Sequence, residues 1–305
     1  MKLPVALFLA CWAFSSLGWA QQPDPANAAI HVLPVQGGVY MLVGGGANIT
    51  VQTAKDGVLL VDTGLAQAAP QILAAIRTFS NGPIRWVVNT NADRDHIGGN
   101  EALVKLGRSP VPVPTEPRIV ADLAVQEWLA ALPANETPVP GPGWPNDTYS
   151  TPYKDFFFNG EAIKVYHIPN AHTDGDSIVF FRRSDVLSTG DIFTPDRYPS
   201  VDLNRGGGVQ GLIDGLNQIL EITVPMKYQE GGTYVIPGHG RLCDEADVVE
   251  FRDMVTIIRD RVQDLIKKGM SLEQVKAAKP SLDYDTQYSG SPDGFVESIY
   301  KSLKK

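Results

Sequence analysis

Three of the five histidines lie in short polar segments that directly follow apolar runs of the sequence. They are His96, His172 and His239, and two acids, Asp62 and Asp191, follow apolar runs in the same way. A strand end holds a side chain rigidly, and the loop beyond it lets several side chains converge on one point. Imidazole and carboxylate groups that converge in this way are metal ligands by type. We therefore expect a metal site built from histidines and acids.

The two cysteines, Cys11 and Cys243, are too few for a cysteine-rich zinc site or a disulfide scaffold. Each motif taken alone also has a structural explanation, because acids often cap turns and a single histidine in a glycine-rich turn is usually structural. Five such motifs in one chain are harder to attribute to chance. We therefore keep the metal-site interpretation.

The 305 residues include 34 acidic and 26 basic side chains, which give a formal net charge of −8. This length suits one large α/β domain or two modest ones. The acidic balance argues against a protein that binds the phosphate backbone of nucleic acids. We therefore expect a small-molecule substrate and no nucleic-acid partner. No feature of the sequence predicts an oligomeric state.

The first twenty residues have the pattern of a secretory signal peptide, with Lys2, an apolar run to about Phe14 and a small-residue site ending at Ala20. A membrane anchor is the alternative, but this run is well short of the ~20 apolar residues of a membrane span. We expect residues 1–20 to be the signal peptide and residues 21–305 a single domain with C-terminal helices and no membrane span. The protein is then exported, to a bacterial periplasm or to the medium.

Short β-rich runs separated by glycine turns predict strands, and apolar residues spaced three or four apart predict helices. The predicted strands cover residues 39–43, 48–51, 58–61, 84–88, 156–158, 163–167, 177–181, 186–188 and 233–236. The predicted helices cover residues 66–79, 119–132, 209–222 and 244–268, and a short final helix begins near Ser271. This order indicates a two-layered α/β domain that is closed by helices.

The proline-rich segment 133–145 cannot form a helix or a central strand. One interpretation is a surface connection. The other is a stiff loop that places Trp144 over a substrate pocket, because long loops in compact domains are often functional. Both interpretations stay open.

Taken in order, Asp62-Thr63-Gly64, Asp95-His96 with Gly98-Gly99, His172, Gly190-Asp191 and Pro237-Gly238-His239-Gly240 resemble the motifs of the metallo-β-lactamase superfamily. The resemblance spans residues 62–239. It implies an α/β fold, the four-layered αββα sandwich, with a metal site at one edge between the two sheets.

The resemblance also implies two neighbouring metal sites that share Asp191. The family's second site is complete in this chain, with Asp95, His96, Asp191 and His239 as its ligands. Asp62 is similar to the family's buried Asp, which orients the ligand loop without binding metal.

The family's first site is altered in this chain. His172 and Asp191 match it, but Asn91 and Asp93 stand where the family has two histidines. Asp93 is a competent ligand, whereas the neutral amide of Asn91 is a poor one and at most supports the others. One metal in the second site, two metals with a weaker first site, and a site too altered for catalysis stay open. Zinc is the expected metal, and the harder ligand set also suits iron or manganese.

Two functions fit these residues. The first is an exported metal-dependent hydrolase of an ester, thioester, lactone or amide bond, which acts through a metal-activated water. Its catalytic candidates are Asp95 and Asp93, with His172 as an alternative general base. The second is a redox or ligand-binding member that kept the fold and lost hydrolysis.

Two further observations concern the substrate. Members that hydrolyse β-lactams typically have Cys or Ser at the position of Asp191, and those with Cys often have Lys at the position of Thr194. Both departures weigh against efficient β-lactam hydrolysis. Arg197 and Arg205 follow closely in the sequence, and we interpret them as solvated surface charges, with a contact to an anionic substrate as the alternative.

Overall fold

The computed structural model describes residues 29–107, 117–225 and 231–304. The predicted signal peptide lies outside these ranges. Within them, no helix is both long enough and apolar enough to cross a membrane.

The N-terminal part of the chain forms a sheet of seven strands that neighbour one another in sequence order. The first four strands are antiparallel, and β4 to β7 are parallel. The strands are β1 (His31–Gln36), β2 (Val39–Val43), β3 (Ile49–Ala54), β4 (Gly57–Val61), β5 (Ile84–Val88), β6 (Arg118–Asp122) and β7 (Asp147–Tyr149).

The rest of the chain forms a sheet of five strands in the order β12-β11-β10-β9-β8. All neighbours are antiparallel except β11 and β12. The strands are β8 (Tyr153–Phe158), β9 (Glu161–Ile168), β10 (Asp176–Phe181), β11 (Val186–Ser188) and β12 (Tyr234–Ile236).

Helices cover the outer face of each sheet. Those described are α1 (Ala69–Arg77), α2 (Arg94–Ile97), α3 (Asn100–Leu106), α4 (Leu123–Ala131), α5 (Val209–Ile222), α6 (Glu245–Lys267), α7 (Leu272–Ala277) and α8 (Pro292–Leu303). Helices α1 and α3 pack on the seven-stranded sheet, and α5, α6 and α8 share one core with the five-stranded sheet. A third core lies between the sheets. These four layers confirm the predicted αββα sandwich.

The position of strand β4 in the sandwich explains why its sequence is wholly apolar. Val58 and Leu60 belong to the core under the helices, whereas Leu59 and Val61 belong to the core between the sheets. A strand buried on both faces has no solvent side and therefore no polar alternation.

The predicted helix over residues 119–132 was wrong in its first part. Ile119 and Val120 lie in strand β6, paired in parallel with β5 and buried on opposite faces of the sheet. Helix α4 begins only after Asp122, whose side chain accepts a hydrogen bond from Ala124 N–H as its N-cap. An apolar run of this length fits a strand or a helix, and its neighbours in the sheet decide between them.

A buried acid links the two sheets at the end opposite the predicted metal site. Glu161, at the start of β9, is 4% exposed. Its carboxylate accepts hydrogen bonds from Gln52 Nε2 at 2.8 Å and from Ser184 Oγ at 2.8 Å. The backbone N–H groups of Arg183 and Ser184 also donate to it. Gln52 lies on the other sheet, so this carboxylate joins both layers.

Candidate metal centre

The predicted site residues meet where several strands end. Asp62 follows β4, Asp93 and His96 follow β5, and Asp191 and His239 follow β11 and β12. Because the parallel strands of each sheet end at the same edge, the loops beyond them converge there. Asn48 joins the two sheets at this edge, since its N–H donates to Gly238 O at 2.8 Å and its Nδ2 donates to Pro237 O at 2.9 Å.

The structure brings the second-site residues together. Asp95, His96 and His239 each place a ligand atom within 4.8 Å of the others. His239 Nε2 lies 3.2 Å from Asp95 Oδ2 and 3.5 Å from Asp191 Oδ1. His96 Nε2 lies 3.1 Å from Asp191 Oδ2. Two imidazoles and two carboxylates therefore face one small volume, as the sequence predicted.

Two atoms of this group test whether a cation fits. His96 Nε2 and Asp191 Oδ1 are buried, and among the described residues neither has a hydrogen-bond partner. A buried polar atom without a partner costs about 1–3 kcal/mol. A cation bound between these atoms would satisfy both, and His and Asp are zinc ligands by type. The second site therefore fits a metal ion.

Asp62 sets the orientation of the His96 ring by contacting Nδ1, the ring nitrogen that faces away from the other candidate ligands. Asp62 Oδ2 lies 2.7 Å from His96 Nδ1, and Thr90 donates to the same carboxylate from its N–H at 2.8 Å and its Oγ1 at 2.7 Å. An unprotonated carboxylate at Nδ1 keeps the proton on that nitrogen and leaves the Nε2 lone pair for a metal. Asp62 also has a left-handed backbone, with φ of 61°, which non-glycine residues rarely adopt.

The charges of the second site reinforce one another. Burial alone would lower the pKa of His96, but the carboxylates of Asp191 and Asp62 raise it well above its ordinary value. Burial alone would raise the pKa of Asp191, but His96, His172 and His239 hold it well below its usual range. The pKa of Asp95 is likewise lowered, against its burial, by the His239 and His96 rings. Without a metal, this site therefore keeps its acids ionised and binds protons on His96.

The first-site residues also converge, but their contacts differ. Asp93, His172 and Asp191 place ligand atoms within 4.8 Å of one another. His172 Nε2 lies 3.5 Å from Asp93 Oδ2, and its Nδ1 lies 3.4 Å from Asp176 Oδ1. Burial would lower the pKa of His172, but Asp176, Asp191 and Asp93 raise it to about 9.

Asn91 is fully buried and faces Asp191 with its amide nitrogen. Its Oδ1 accepts a hydrogen bond from Asp93 N–H at 2.8 Å, and its Nδ2 lies 3.4 Å from Asp191 Oδ2. The bond to the Asp93 N–H fixes which end of the amide is oxygen. Asn91 therefore offers a donor to Asp191 and holds the backbone of the ligand loop at Asp93.

The interpretation of Arg205 as a solvated surface charge was wrong. Its side chain is 13% exposed, and Nη1 lies 2.5 Å from Asp93 Oδ1. Nε donates to Asp202 Oδ2 at 2.7 Å, and the guanidinium carbon lies 4.9 Å from the centroid of the Trp128 ring. Arg197, by contrast, is 44% exposed and contacts its neighbour Asp196, so the surface interpretation is confirmed there.

Two cavities adjoin the site. One, of about 270 Å³, is lined by Trp128, Val125, Thr173 and Arg205, among others. The other, of about 480 Å³, begins at Asp93 and His172 and reaches α8. Its other lining residues include Ser200, Asp202, Asn204, Glu297, Ser298 and Lys301. We call this second cavity the polar cleft.

Trp144 is placed differently from Trp128. Its ring packs against a buried apolar cluster that includes Ile97, Val125 and Leu129, and its Nε1–H donates to Val139 O at 3.1 Å. Trp128, which the sequence did not single out, lines the cavity beside the site. A substrate contact of Trp144 stays a prediction, and this packing does not support it.

Sequence reasoning also missed Thr90 and Asp176. Both have a local signal: Thr90 lies in the polar stretch after β5, and Asp176 comes four residues after His172. Within the described ranges, neither of the two remaining histidines belongs to a group that could hold a metal ion. His31 is exposed, and His167 Nε2 lies 2.6 Å from the carbonyl oxygen of Asp174.

Comparisons with known proteins agree with this geometry. The model of the metallo-beta-lactamase superfamily matches residues 42–239, which is more than half of the chain. No curated protein sequence matches.

Several solved structures are similar to this chain. A double mutant of the sec-alkyl sulfatase PisA1 has a TM-score of 0.70 at 18% identity, covering 90% of this chain and 50% of that one. The stereoselective inverting sec-alkylsulfatase Pisa1 from Pseudomonas sp. has a TM-score of 0.65 at 18% identity, covering 89% and 50%. A metallo-beta-lactamase from Pontibacter korlensis has a TM-score of 0.57 at 18% identity, covering 74% and 99%.

The chain spans about half the length of the alkylsulfatase structures, and at this identity all three likenesses show the fold alone. The sequence motifs, the αββα fold and the match over residues 42–239 all indicate the same superfamily. This chain belongs to the metallo-beta-lactamase superfamily.

Proposed function

We propose that this protein is an exported metal-dependent hydrolase of a small polar molecule with an ester, thioester, lactone or amide bond. The observation that carries the proposal is the second site. There, Asp95, His96 and His239 converge, Asp191 lies within 3.5 Å of both rings, and two buried ligand atoms have no hydrogen-bond partner among the described residues. Export is proposed from the N-terminal sequence pattern alone.

The ligand set favours zinc, with iron or manganese as the alternatives. When bound, such an ion lowers the pKa of a water ligand toward ~7 and polarises the substrate's carbonyl group. Asp95, His96, Asp191 and His239 would hold it. Asp62 and Thr90 keep the His96 ring oriented.

The two candidate catalytic acids, Asp95 and Asp93, have distinct environments. The Asp95 side chain is 35% exposed and pairs with His239. Asp93 lines the polar cleft, and one of its oxygens contacts Arg205. Its other oxygen faces His172. Asp93 Oδ2 is therefore the group best placed to accept a proton at the mouth of the cleft, because His172, whose pKa is raised to about 9, already carries its proton near neutral pH.

The polar cleft indicates the kind of substrate. Its walls carry hydroxyl, amide and charged groups, and α8, which supplies one wall, lies beyond the residues matched by the superfamily. This composition favours a hydrophilic substrate. Thr194 is buried at 4% exposure, so it is not available to meet a drug's carboxylate. We therefore rank esters, thioesters and lactones above β-lactams.

The experiment is to express the full chain with its export signal, purify it without chelators, and measure bound metal by elemental analysis. Hydrolysis is then measured on a panel of esters, thioesters, lactones, amides, alkyl sulfates and β-lactams. We expect bound metal, activity on one class, and loss of both in His239→Ala. The exposed His31→Ala is the matched control and retains both. Wild-type protein without metal, or activity that survives His239→Ala, contradicts the proposal.

The contact between Arg205 and Asp93 favours a second candidate, a redox or ligand-binding protein with a lost first site. The double substitution Asn91→His with Asp93→His tests it. A large gain in hydrolysis and in metal content would show that the wild type had lost a site. Unchanged or lower activity favours a site adapted to its present ligands. Bound iron with oxygen consumption would identify the redox function instead.

A further inference from the structure

The first site contains a half-buried cation that belongs to the protein, the guanidinium of Arg205. The Arg205 guanidinium contacts Asp93 Oδ1 at 2.5 Å on one side and Asp202 Oδ2 at 2.7 Å on the other. It also lies over the Trp128 ring, at 4.9 Å from guanidinium carbon to ring centroid. Two carboxylates and an aromatic face therefore hold it in one position. A planar guanidinium can contact two separate carboxylates and stack on an aromatic ring at once, which the ammonium group of Lys cannot do.

Asp93, Asp202 and the Trp128 ring together form a clamp around the Arg205 guanidinium, and the Asp202 carboxylate of this clamp is itself held by the backbone. Asp202 Oδ1 accepts hydrogen bonds from the N–H groups of Asn204 at 2.9 Å and Arg205 at 3.1 Å. Arg205 Nε is therefore bonded to an acid whose other oxygen is held by the backbone, and this bond restrains the guanidinium beside Asp93. Its place beside Asp93 is a built feature of the loop that follows β11.

Asp93, His172 and Asp191 lie close enough to form a ligand group, but their donor atoms already contact other groups of the protein. One Asp93 oxygen is already engaged by Arg205, and only the other faces His172. Asn91 directs its amide N–H toward Asp191, and its oxygen is used by the Asp93 N–H. The Asn91 N–H group points at the Asp191 carboxylate. The family's first site has a histidine at this position, whose lone pair binds the metal.

We infer that Arg205 takes the place of a second metal ion, so that the chain holds one ion, in the second site. The positive guanidinium neutralises the Asp93 carboxylate, as a metal ion in the first site would. A metal ion that entered the first site would lie close to this positive charge and be repelled by it. This inference rests on the proposed metal-dependent function. It predicts that each chain binds one metal ion and that Arg205 sets this number.

The test is a titration of the full-length protein with Zn²⁺, followed by calorimetry and by elemental analysis after dialysis. Arg205→Gln removes the charge and keeps a polar side chain. Arg205→Lys keeps a cation but not the planar clamp. Arg259→Gln is the matched control, because Arg259 is similarly buried at 17% exposure and pairs with Asp260 and Gln210 on the far helices.

We expect about one equivalent of Zn²⁺ per chain for wild type, Arg205→Lys and Arg259→Gln, and about two for Arg205→Gln. Two equivalents in wild type overturn the inference but leave the proposed metal-dependent function intact. One equivalent in folded Arg205→Gln also overturns it. No bound Zn²⁺ in wild type overturns both. The wild-type titration decides even if a variant fails to fold, and circular dichroism identifies such a failure.

Discussion

The Asp62 carboxylate lies 2.7 Å from His96 Nδ1, while Nε2 of the same ring lies 3.1 Å from Asp191. One imidazole thus connects a buried acid at the end of β4 to Asp191, which lies between the two candidate ligand groups. Because Asp62 also receives two hydrogen bonds from Thr90, the ring has little freedom to rotate. The second site is therefore preorganised by residues that do not themselves face the metal position.

This relationship predicts the effect of Asp62→Asn. We expect affinity for Zn²⁺ to fall about 10- to 100-fold, because the loss of a carboxylate behind a ligating histidine weakens the ligand. Asn tolerates the left-handed backbone at this position, so the fold should be kept. Competition with a chromophoric chelator measures the affinity. The exposed Asp56→Asn is the control and binds as wild type; equal affinity in both variants would contradict the prediction.

Metal affinity should depend on pH. The pKa of metal-free His96 is raised well above its ordinary value, chiefly by Asp191 and Asp62 against the effect of burial. A metal ion must displace this proton, so affinity rises with pH through the neutral range. For each proton displaced, we expect about a tenfold loss of affinity from pH 7 to pH 6.

Chelator competition at several pH values measures this dependence, together with proton release on binding. Affinity that does not change between pH 6 and pH 8 would argue against a protonated His96 in the metal-free protein.

Helix α8 should influence substrate binding without affecting the metal. Ser298 lines the polar cleft, so a bulky Ser298→Trp should obstruct it. For the best substrate of the panel, we expect KM to rise several-fold at unchanged metal content. Lys304→Trp, at the end of the same helix, is the control. Unchanged KM in Ser298→Trp would show that substrate enters by another route.

The stability of the sandwich should depend on Glu161. Replacing it with Ala leaves Gln52 Nε2 and the backbone N–H groups of Arg183 and Ser184 without their acceptor. We expect the free energy of unfolding to fall by about 3 kcal/mol. Urea denaturation monitored by circular dichroism measures it. The exposed Asp155→Ala, on neighbouring β8, should change stability by less than about 0.5 kcal/mol.

The elements that positioned these groups were predictable to different degrees. Strand β4 and the helix over residues 209–222 were predicted correctly from their local patterns. A strand buried on both faces is apolar throughout, and a helix buried on one side has apolar residues along one stripe. The stretch from Ile119 to Asp122 was misassigned because the same apolar residues suit a helix. Only the β5 and β7 strands on either side decide its conformation.

The sequence by itself determined the ligand types and their order. His96, Asp191 and His239 could be singled out because each follows an apolar strand, and a strand's end and its loop are local properties. Asp95 was added to them by the resemblance to the superfamily's motifs. Tertiary structure alone decided what surrounds them. Arg205 contacts Asp93 across more than one hundred residues of chain, and nothing near Arg205 in the sequence distinguishes it from a surface charge. The pairing depends on how the two sheets bring separate loops to one edge.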